Sequence, residues 1–454
     1  MLEEGDNVMR RTLIRGATLV TLDATHGDLV GDMLIERERI SAIGHRIEAP
    51  GASEVDAQGF IVAPGFVNAH MHTWQTALRG VAAGWTLTEY FRRMHAGLAT
   101  RFTPEDIRIA TLAGAWNQLD CGTTTLVDWC HNNPTPQHSD AAVDALEAAG
   151  IRAAFFHGSP KPDPKPGSKP FWEVPHPRAE VTRIARRLEG SSLVSLGMAV
   201  LGPHYSTLDV ALHDFKLARE LGLIASMHQG GGAARTPDGW ERLDAEGLLG
   251  PHINIVHGNN LDDGQLSRFV DAGMSFSITP ENELTQGHGF PITGRLRKLG
   301  VNPSLGIDLE SGLSGEMFVA ARFALGVQRA LDHAAYRAVH EGIADQHEVG
   351  CRDALAWITL EGARMLGMAD RIGSLAPGKQ ADFVMIDARR LNMNPVHDPA
   401  SAIVMQASLA NIDSVFVAGV ARKRNGRLLV DGLPAALDAL RASGERLLHG
   451  HAYA

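Results

Sequence analysis

The stretch 252-HINIVHGNNLDDGQLSRFVDAGMSFSITPEN-282 decides the fold. It opens on a short apolar run that ends in a histidine, passes through an amphipathic helix stopping near Gly273, and resumes as a β-rich run from Met274. A strand, a helix closed by glycine and a second strand together make a βαβ unit, whose strands lie parallel.

Working outward, the same phrase recurs. Upstream stand 223-LIASMH-228 and 192-SLVSLGMAVLGPH-204, the latter followed by a helix ending at Gly222. Earlier still, 103-TPEDIRIATLAGAWNQLDCG-122 has Thr103 and Asp106 as a capping box, Pro104 at the first helical position and Gly122 as the stop. It leads into the β-rich 123-TTTLVDW-129. Downstream, 301-VNPSLGID-308 follows Gly300. About eight such units between residues 65 and 370 predict closure into a (β/α)8 TIM barrel rather than an open sheet.

The flanks read differently. Residues 10–62 (12-TLIRGATLVTLD-23, 31-GDMLIERERISAIG-44) and 371–430 (382-DFVMID-387, 411-NIDSVFVAG-419, 426-GRLLVDG-432) are strand-like with turns. Neither flank makes a comfortable core alone, so the α/β barrel, 63–370, is expected to carry a small composite β-sandwich built from 1–62 and 371–432. An exposed helix and tail are expected over 433–454. The proline-rich stretch 159-SPKPDPKPGSKPFWEVPHP-177 is either a plain surface excursion or a lid.

Composition excludes several classes. The 454 residues are 44% hydrophobic and 21% charged, the balance of a globular protein. A net charge of −10 argues against nucleic acid or an anionic membrane as the partner, since both need a basic footprint. Cys121, Cys130 and Cys351 form no CxxC pattern, which excludes a disulfide scaffold and a cysteine zinc knuckle. MLEEGDNVMRRTLIRG lacks the apolar centre of an export signal, so a cytoplasmic setting is expected.

Chemistry concentrates at the strand ends. In 67-VNAHMHTWQ-75, His70 and His72 are two residues apart after an apolar run, and on a strand such residues face one side. The pair alone is weak: 449-HGH-451 repeats the spacing in a tail with no strand before it. Its company is what matters. His204, His228, His257 and Asp308 each close a further apolar run, and in a barrel those ends meet on one face. Imidazoles and a carboxylate holding one divalent ion would leave a position for water and lower its pKa toward about 7. Trp74 and Gln75, directly after the pair, are candidates to wall a substrate pocket, as are Trp85, Tyr90 and Phe91. Ordinary packing explains aromatics there equally well. His131 and His157 sit at other strand ends, where they can simply cap them.

The chain resembles the amidohydrolase superfamily, in its branch of cytosine-deaminase-like, S-adenosylhomocysteine-deaminase-like and chlorotriazine-hydrolase proteins. The resemblance runs through 63-APGFVNAHMHTWQTALRG-80, 102-FTPED-106, 120-DCGTTTLVD-128, 202-GPH-204, 257-HGNNLDD-263, 279-TPENELTQGHGFPI-292, 305-LGIDLESG-312 and 371-RIGSLAPGKQADFVMID-387. It implies one metal ion held by His70, His72, His228 and Asp308, with zinc expected and iron or manganese compatible with the donors. It also implies that His257 touches the attacking water, that Asp308 doubles as general base and that His204 binds substrate. A small-molecule substrate and a homo-oligomer complete what the resemblance implies.

Three departures bear on the reaction. The branch's deaminases carry glutamate three residues after the third metal histidine, to protonate a ring nitrogen; 228-HQGGG-232 has Gly231 there. The usual G-T-D-G reads 306-GIDL-309, and His288 in 286-QGHG-289 replaces a small residue. One reading is a hydrolase of an amide, urea, carbamate or lactam-like carbon–nitrogen bond, which needs no ring protonation. Glu281, Glu283, Glu310 or His288 would then assist the leaving group. The other is a deaminase or hydrolytic dehalogenase of a nitrogen heterocycle, with one of those residues replacing the glutamate. A silent binding protein is the third, and a preserved four-ligand set argues against it.

Overall fold

Eight parallel strands follow one another around the barrel in the computed structural model, which describes residues 11–451. Most of the N-terminal stretch read for an export signal, and the extreme ends of the 1–62 and 433–454 units, lie outside the described residues. Numbered around the barrel, the strands are β1 (Phe66–Met71), β2 (Thr123–Cys130), β3 (Arg152–Gly158), β4 (Val194–Val200), β5 (Ala225–Gln229), β6 (Ile253–His257), β7 (Ser275–Ile278) and β8 (Ser304–Leu305). Every residue of β1, β2, β3 and β6 is buried. Strands covered on both faces read as continuous apolar runs, and this is why these segments lack alternation.

The ring closes where β8 meets β1. Met71 bridges Asp308, the His72 amide donates to the Asp308 carbonyl at 2.7 Å, and the Asp308 amide donates to the His70 carbonyl at 3.0 Å. Gly306 makes that seam possible: a Cβ there would stand 2.5 Å from the His70 carbonyl oxygen. The residues that seal the barrel are thus the ones whose side chains the sequence singles out.

The second layer is a nine-stranded mixed sheet from both chain ends, the composite β-sandwich. Its two halves join where Phe60–Pro64 pairs antiparallel with Phe383–Asp387. Ile14, Met33, Val62, Leu375, Phe383 and Phe416 fill its core. It is pinned to the barrel by Arg152 at the start of β3, whose Nε donates to Asp382 Oδ2 at 2.7 Å with both side chains buried. Removing either partner strands a buried charge and costs about 3–5 kcal/mol.

Helix Pro104–Asp120 begins as expected: the Thr103 amide donates to Asp106 Oδ2 at 2.7 Å, and the Asp106 amide to Thr103 Oγ1 at 3.3 Å. Helix Leu433–Leu448 differs from its expected exposure. One face docks on Pro104–Asp120, burying Leu440, Ser443, Gly444 and Leu447. Ser443 Oγ donates to Asp106 Oδ1 at 2.7 Å, and Arg446 pairs with the same carboxylate. Small side chains on that face, where a Cβ on Gly444 would meet the Ala77 carbonyl at 2.6 Å, permit the close approach. Among the described residues no helix is long and apolar enough to cross a membrane.

Candidate metal centre

His70 and His72 leave the end of β1 on the same side, their ring centroids 4.7 Å apart. His228 reaches the same point from β5, and Asp308 from just beyond β8. His70 Nε2 lies 3.2 Å from His228 Nε2 and 3.5 Å from Asp308 Oδ1, while His72 Nε2 lies 3.3 Å from that oxygen. One ligand atom from each of the four falls within 4.8 Å of the others.

The donor set fits a divalent cation. His72 Nδ1 stands 2.6 Å from the Trp129 carbonyl, which only accepts, so Nδ1 carries the proton and Nε2 offers its lone pair to the cluster. His70 Nε2 and His228 Nε2 face each other at 3.2 Å, two ring nitrogens aimed at one point. Burial drives the His70 pKa down to about 3 against the pull of Asp308, and drives that of His228 well below the ordinary histidine value. Burial alone would raise the Asp308 carboxyl, but the His70 and His72 rings, with Nε2 3.5 and 3.3 Å from Oδ1, hold it well below the usual range. Neutral imidazoles around an ionised carboxylate are what zinc-type sites require.

Behind the four lies a relay. Asp308 Oδ2 accepts from Asn282 Nδ2 at 2.7 Å and Thr279 Oγ1 at 3.2 Å, and lies 3.8 Å from His257 Nε2. His257 Nδ1 is 3.1 Å from Thr279 Oγ1 and 3.3 Å from Glu283 Oε1. That arrangement assigns the His257 proton to Nδ1 and turns Nε2 toward Asp308. Burial pushes the Glu283 carboxyl up to about 7, although the Thr279 amide and Asn259 Nδ2 donate to it. His257 and Asp308 also share a backbone feature: φ is +69° and +70° at these non-glycine residues. Left-handed backbone costs such residues about 1–3 kcal/mol and persists where neighbours over-determine it. Here it turns both side chains inward at the end of their strands.

Above the cluster opens a small cavity, lined by His72, His228, His257 and Asp308 together with Tyr90, Phe91, Lys161, Tyr205 and His288 among others. His288 packs on His257 with ring centroids 4.4 Å apart, and burial lowers its pKa to about 4. The other sequence candidates stand further back. Trp74 does not line the cavity: its fully buried indole packs on Phe102 and donates through Nε1 to His131 Nδ1 at 3.0 Å. Gln75 is likewise behind the wall, donating to the Tyr90 hydroxyl at 2.6 Å and accepting from Ser311 Oγ at 2.7 Å. His204 is buried beside Tyr205, 3.3 Å from Gln229 Nε2, and outside the lining. Glu281 is half-buried and also outside it. Glu310 turns away to Arg79 and Asn117. Helix Pro280–Gln286 explains the split: it sends Asn282 and Gln286 to the cavity and Glu283 to His257, leaving Glu281 on another face. A Cβ at Gly231 would meet only Leu87 Cδ2, at 3.8 Å, so the position is roomy.

Sequence reasoning missed Lys161 and undervalued His131. His131 is stacked 4.2 Å from His72 with 12° between the rings, and so supports a ligand. His157, its counterpart on β3, pairs with His176 at 2.9 Å away from the cavity. Two histidines at equivalent strand ends thus have different neighbours, and no local signal separates them.

Comparison with known proteins agrees with this geometry. The model of the amidohydrolase family matches residues 61–422. The 8-oxoguanine deaminase of Pseudomonas aeruginosa is 30% identical, over 97% of this chain and 100% of that protein. A 5-methylthioadenosine/S-adenosylhomocysteine deaminase of Symbiobacterium thermophilum is 28% identical, over 90% of this chain and 93% of that protein. Among solved structures, an adenosine deaminase from Xanthomonas campestris with bound zinc superposes with a TM-score of 0.81 at 23% identity, covering 96% of this chain and 98% of the other.

Proposed function

The chain belongs to the amidohydrolase family, and from that premise we propose a function for its cavity. It is a metal-dependent hydrolase of carbon–nitrogen bonds other than peptide bonds, acting on a small molecule. We infer that the bond is amide-like (amide, urea, carbamate or lactam) in a compact cyclic or aromatic substrate. One observation carries this reading: among the described residues Asp308 is the only carboxylate lining the cavity, and the glutamate that would protonate a heterocycle is replaced by the bare backbone of Gly231.

His70, His72, His228 and Asp308 would hold the ion, and the nitrogen-rich donor set together with the zinc-bound structural relative favours zinc. Such an ion supplies Lewis acidity and makes coordinated water a better acid at neutral pH. The protein's part is proton handling. Asp308 Oδ2 receives the proton of the attacking water, with Asn282 and Thr279 holding that oxygen in place. His257, its Nδ1–H directed to Thr279 and Glu283, keeps Nε2 free to accept a hydrogen bond from the same water. His288, next to His257 and uncharged at neutral pH, would relay to the leaving nitrogen the proton that Asp308 takes up.

The test is Asp308→Asn with metal analysis. Wild type is expected to hold about one ion per chain and to open amide-like substrates, and the variant to keep most of its metal while turnover falls about a thousandfold. Metal-free wild type whose activity ignores chelators would end the reading. The deaminase names of both curated relatives favour a second reading, amine removal from a heterocycle with His288 replacing the glutamate. Gly231→Glu separates the two: no gain on any substrate is expected for an amide-like reaction, whereas a marked gain in ammonia release from a purine, pyrimidine or triazine would establish the second.

A further inference from the structure

Lys161 reaches the cavity from the proline-rich segment after β3, and the reaction described above makes no use of it. The residue is 5% exposed, yet nothing among the described residues hydrogen-bonds or ion-pairs with its ammonium. Instead Nζ lies 5.2 Å from the ring centre of Tyr205, 5.6 Å from Trp129 and 5.7 Å from Phe91. Aromatic faces attract a cation but accept none of its three N–H donors in the way water does. Burial accordingly brings the ammonium down to about 7, with Asp308 the only group opposing it.

Asp308 is not its counter-ion. Oδ1 of that carboxylate faces His70 and His72, and Oδ2 accepts from Asn282 and Thr279. Lys161 is therefore a buried cation with unused donors beside the reaction centre: the Trp129 ring beneath it packs 4.2 Å from His228. Prolines restrict the backbone that carries it. Pro160 and Pro162 flank it, and the same segment is anchored downstream by Arg235 stacked 4.0 Å over Trp172 and by the His176 amide donating to Asp214 at 2.8 Å. Phe91 and Tyr205, with ring centroids 5.7 Å apart, wall the cavity beside Lys161, so a flat molecule with its reacting carbon at the metal cluster would turn another edge toward this ammonium.

We propose that Lys161 is a specificity-determining residue, selecting a small planar substrate that carries a negatively charged oxygen, as a carboxylate or an ionised ring oxo group, on the edge away from the carbon under attack. This rests on the hydrolase reading and narrows its substrate class. A hydrogen-bonded ion pair then replaces the water that burial removed from the ammonium.

Binding tests it independently of turnover. Isothermal titration of the metal-loaded protein would compare benzoate with benzamide, and barbiturate with uracil, below the pH at which the ammonium loses its proton. Wild type is expected to bind the anion of at least one pair about tenfold more tightly than its neutral partner. The preferred pair tells a carboxylate from a ring oxo group. Lys161→Met should abolish that preference and Lys161→Arg retain part of it. An anion held by the metal ion alone would keep its advantage in Lys161→Met, so persistence there overturns the proposal, as does equal binding within both pairs. Should Lys161→Met fail to fold, Lys161→Gln gives the same comparison. Failure of the hydrolase reading shows separately, in the metal content and activity of Asp308→Asn.

Discussion

The chain carries the histidine-x-histidine spacing twice, at 70-HMH-72 and 449-HGH-451, and the two copies meet opposite fates. The first ends a buried strand, where residues two apart share a face, and both rings are almost completely enclosed. The second begins where helix Leu433–Leu448 stops: His449 is exposed, its carbonyl accepts from Arg101, and the His451 amide donates back to Leu448 at 2.9 Å. Nothing there makes the side chains converge. The comparison teaches that spacing acquires chemical meaning only from the backbone that carries it, and that a convergent pair becomes a site only where other strands deliver more donors.

The largest expected effect breaks the first copy. His70→Ala combined with His72→Ala removes two of the four proposed ligands, so metal content should fall below a tenth of an ion per chain, and turnover roughly a thousandfold or more, by elemental analysis and initial rates. A variant that stays loaded would mean the ion sits elsewhere. An intermediate effect sharpens what surrounds the pair: Glu283→Gln should lower kcat about 10–100-fold at unchanged metal content, because the carboxylate orients His257 rather than the ion. If metal is lost in step with kcat, the orienting role is wrong. The smallest effect is at the second copy. His449→Ala with His451→Ala should leave metal content unchanged and turnover within about twofold, as befits surface substitutions.

Much of this was legible in the linear chain because its causes are local. Thr103, Asp106 and Pro104 start a helix by bonding within one turn, and that helix begins where they say. The apolar runs ending in His228 and His257 are strands for the same reason, and the phrase 371-RIGSLAPGKQADFVMID-387 announces the sheet that rejoins the N-terminal strands. The seam was less legible. The last barrel strand, β8, spans only Ser304–Leu305, too short for any periodicity, and what closes the barrel is hydrogen bonding between residues 70, 72 and 308. Lys161 was hidden for another reason: a lysine among prolines looks like solvated loop, and only the rings of Phe91, Trp129 and Tyr205, from three other segments, make it a buried cation. Trp74 erred in the opposite direction. An aromatic beside the ligands resembles a pocket wall, yet its indole supports His131 from behind.

From the sequence alone came the strands, the helices, their order and the residue types at the strand ends, because turn chemistry, capping and hydrophobic period act over a few neighbouring residues. Tertiary structure alone decided which of those residues share a cavity, which nitrogen of His72 and His257 keeps its proton, and that among the described residues no carboxylate but Asp308 lines that cavity. Those outcomes depend on burial and on partners hundreds of residues away, as when Arg79 from beyond β1 holds Glu310 out of the cavity. A local pattern contains no term for either.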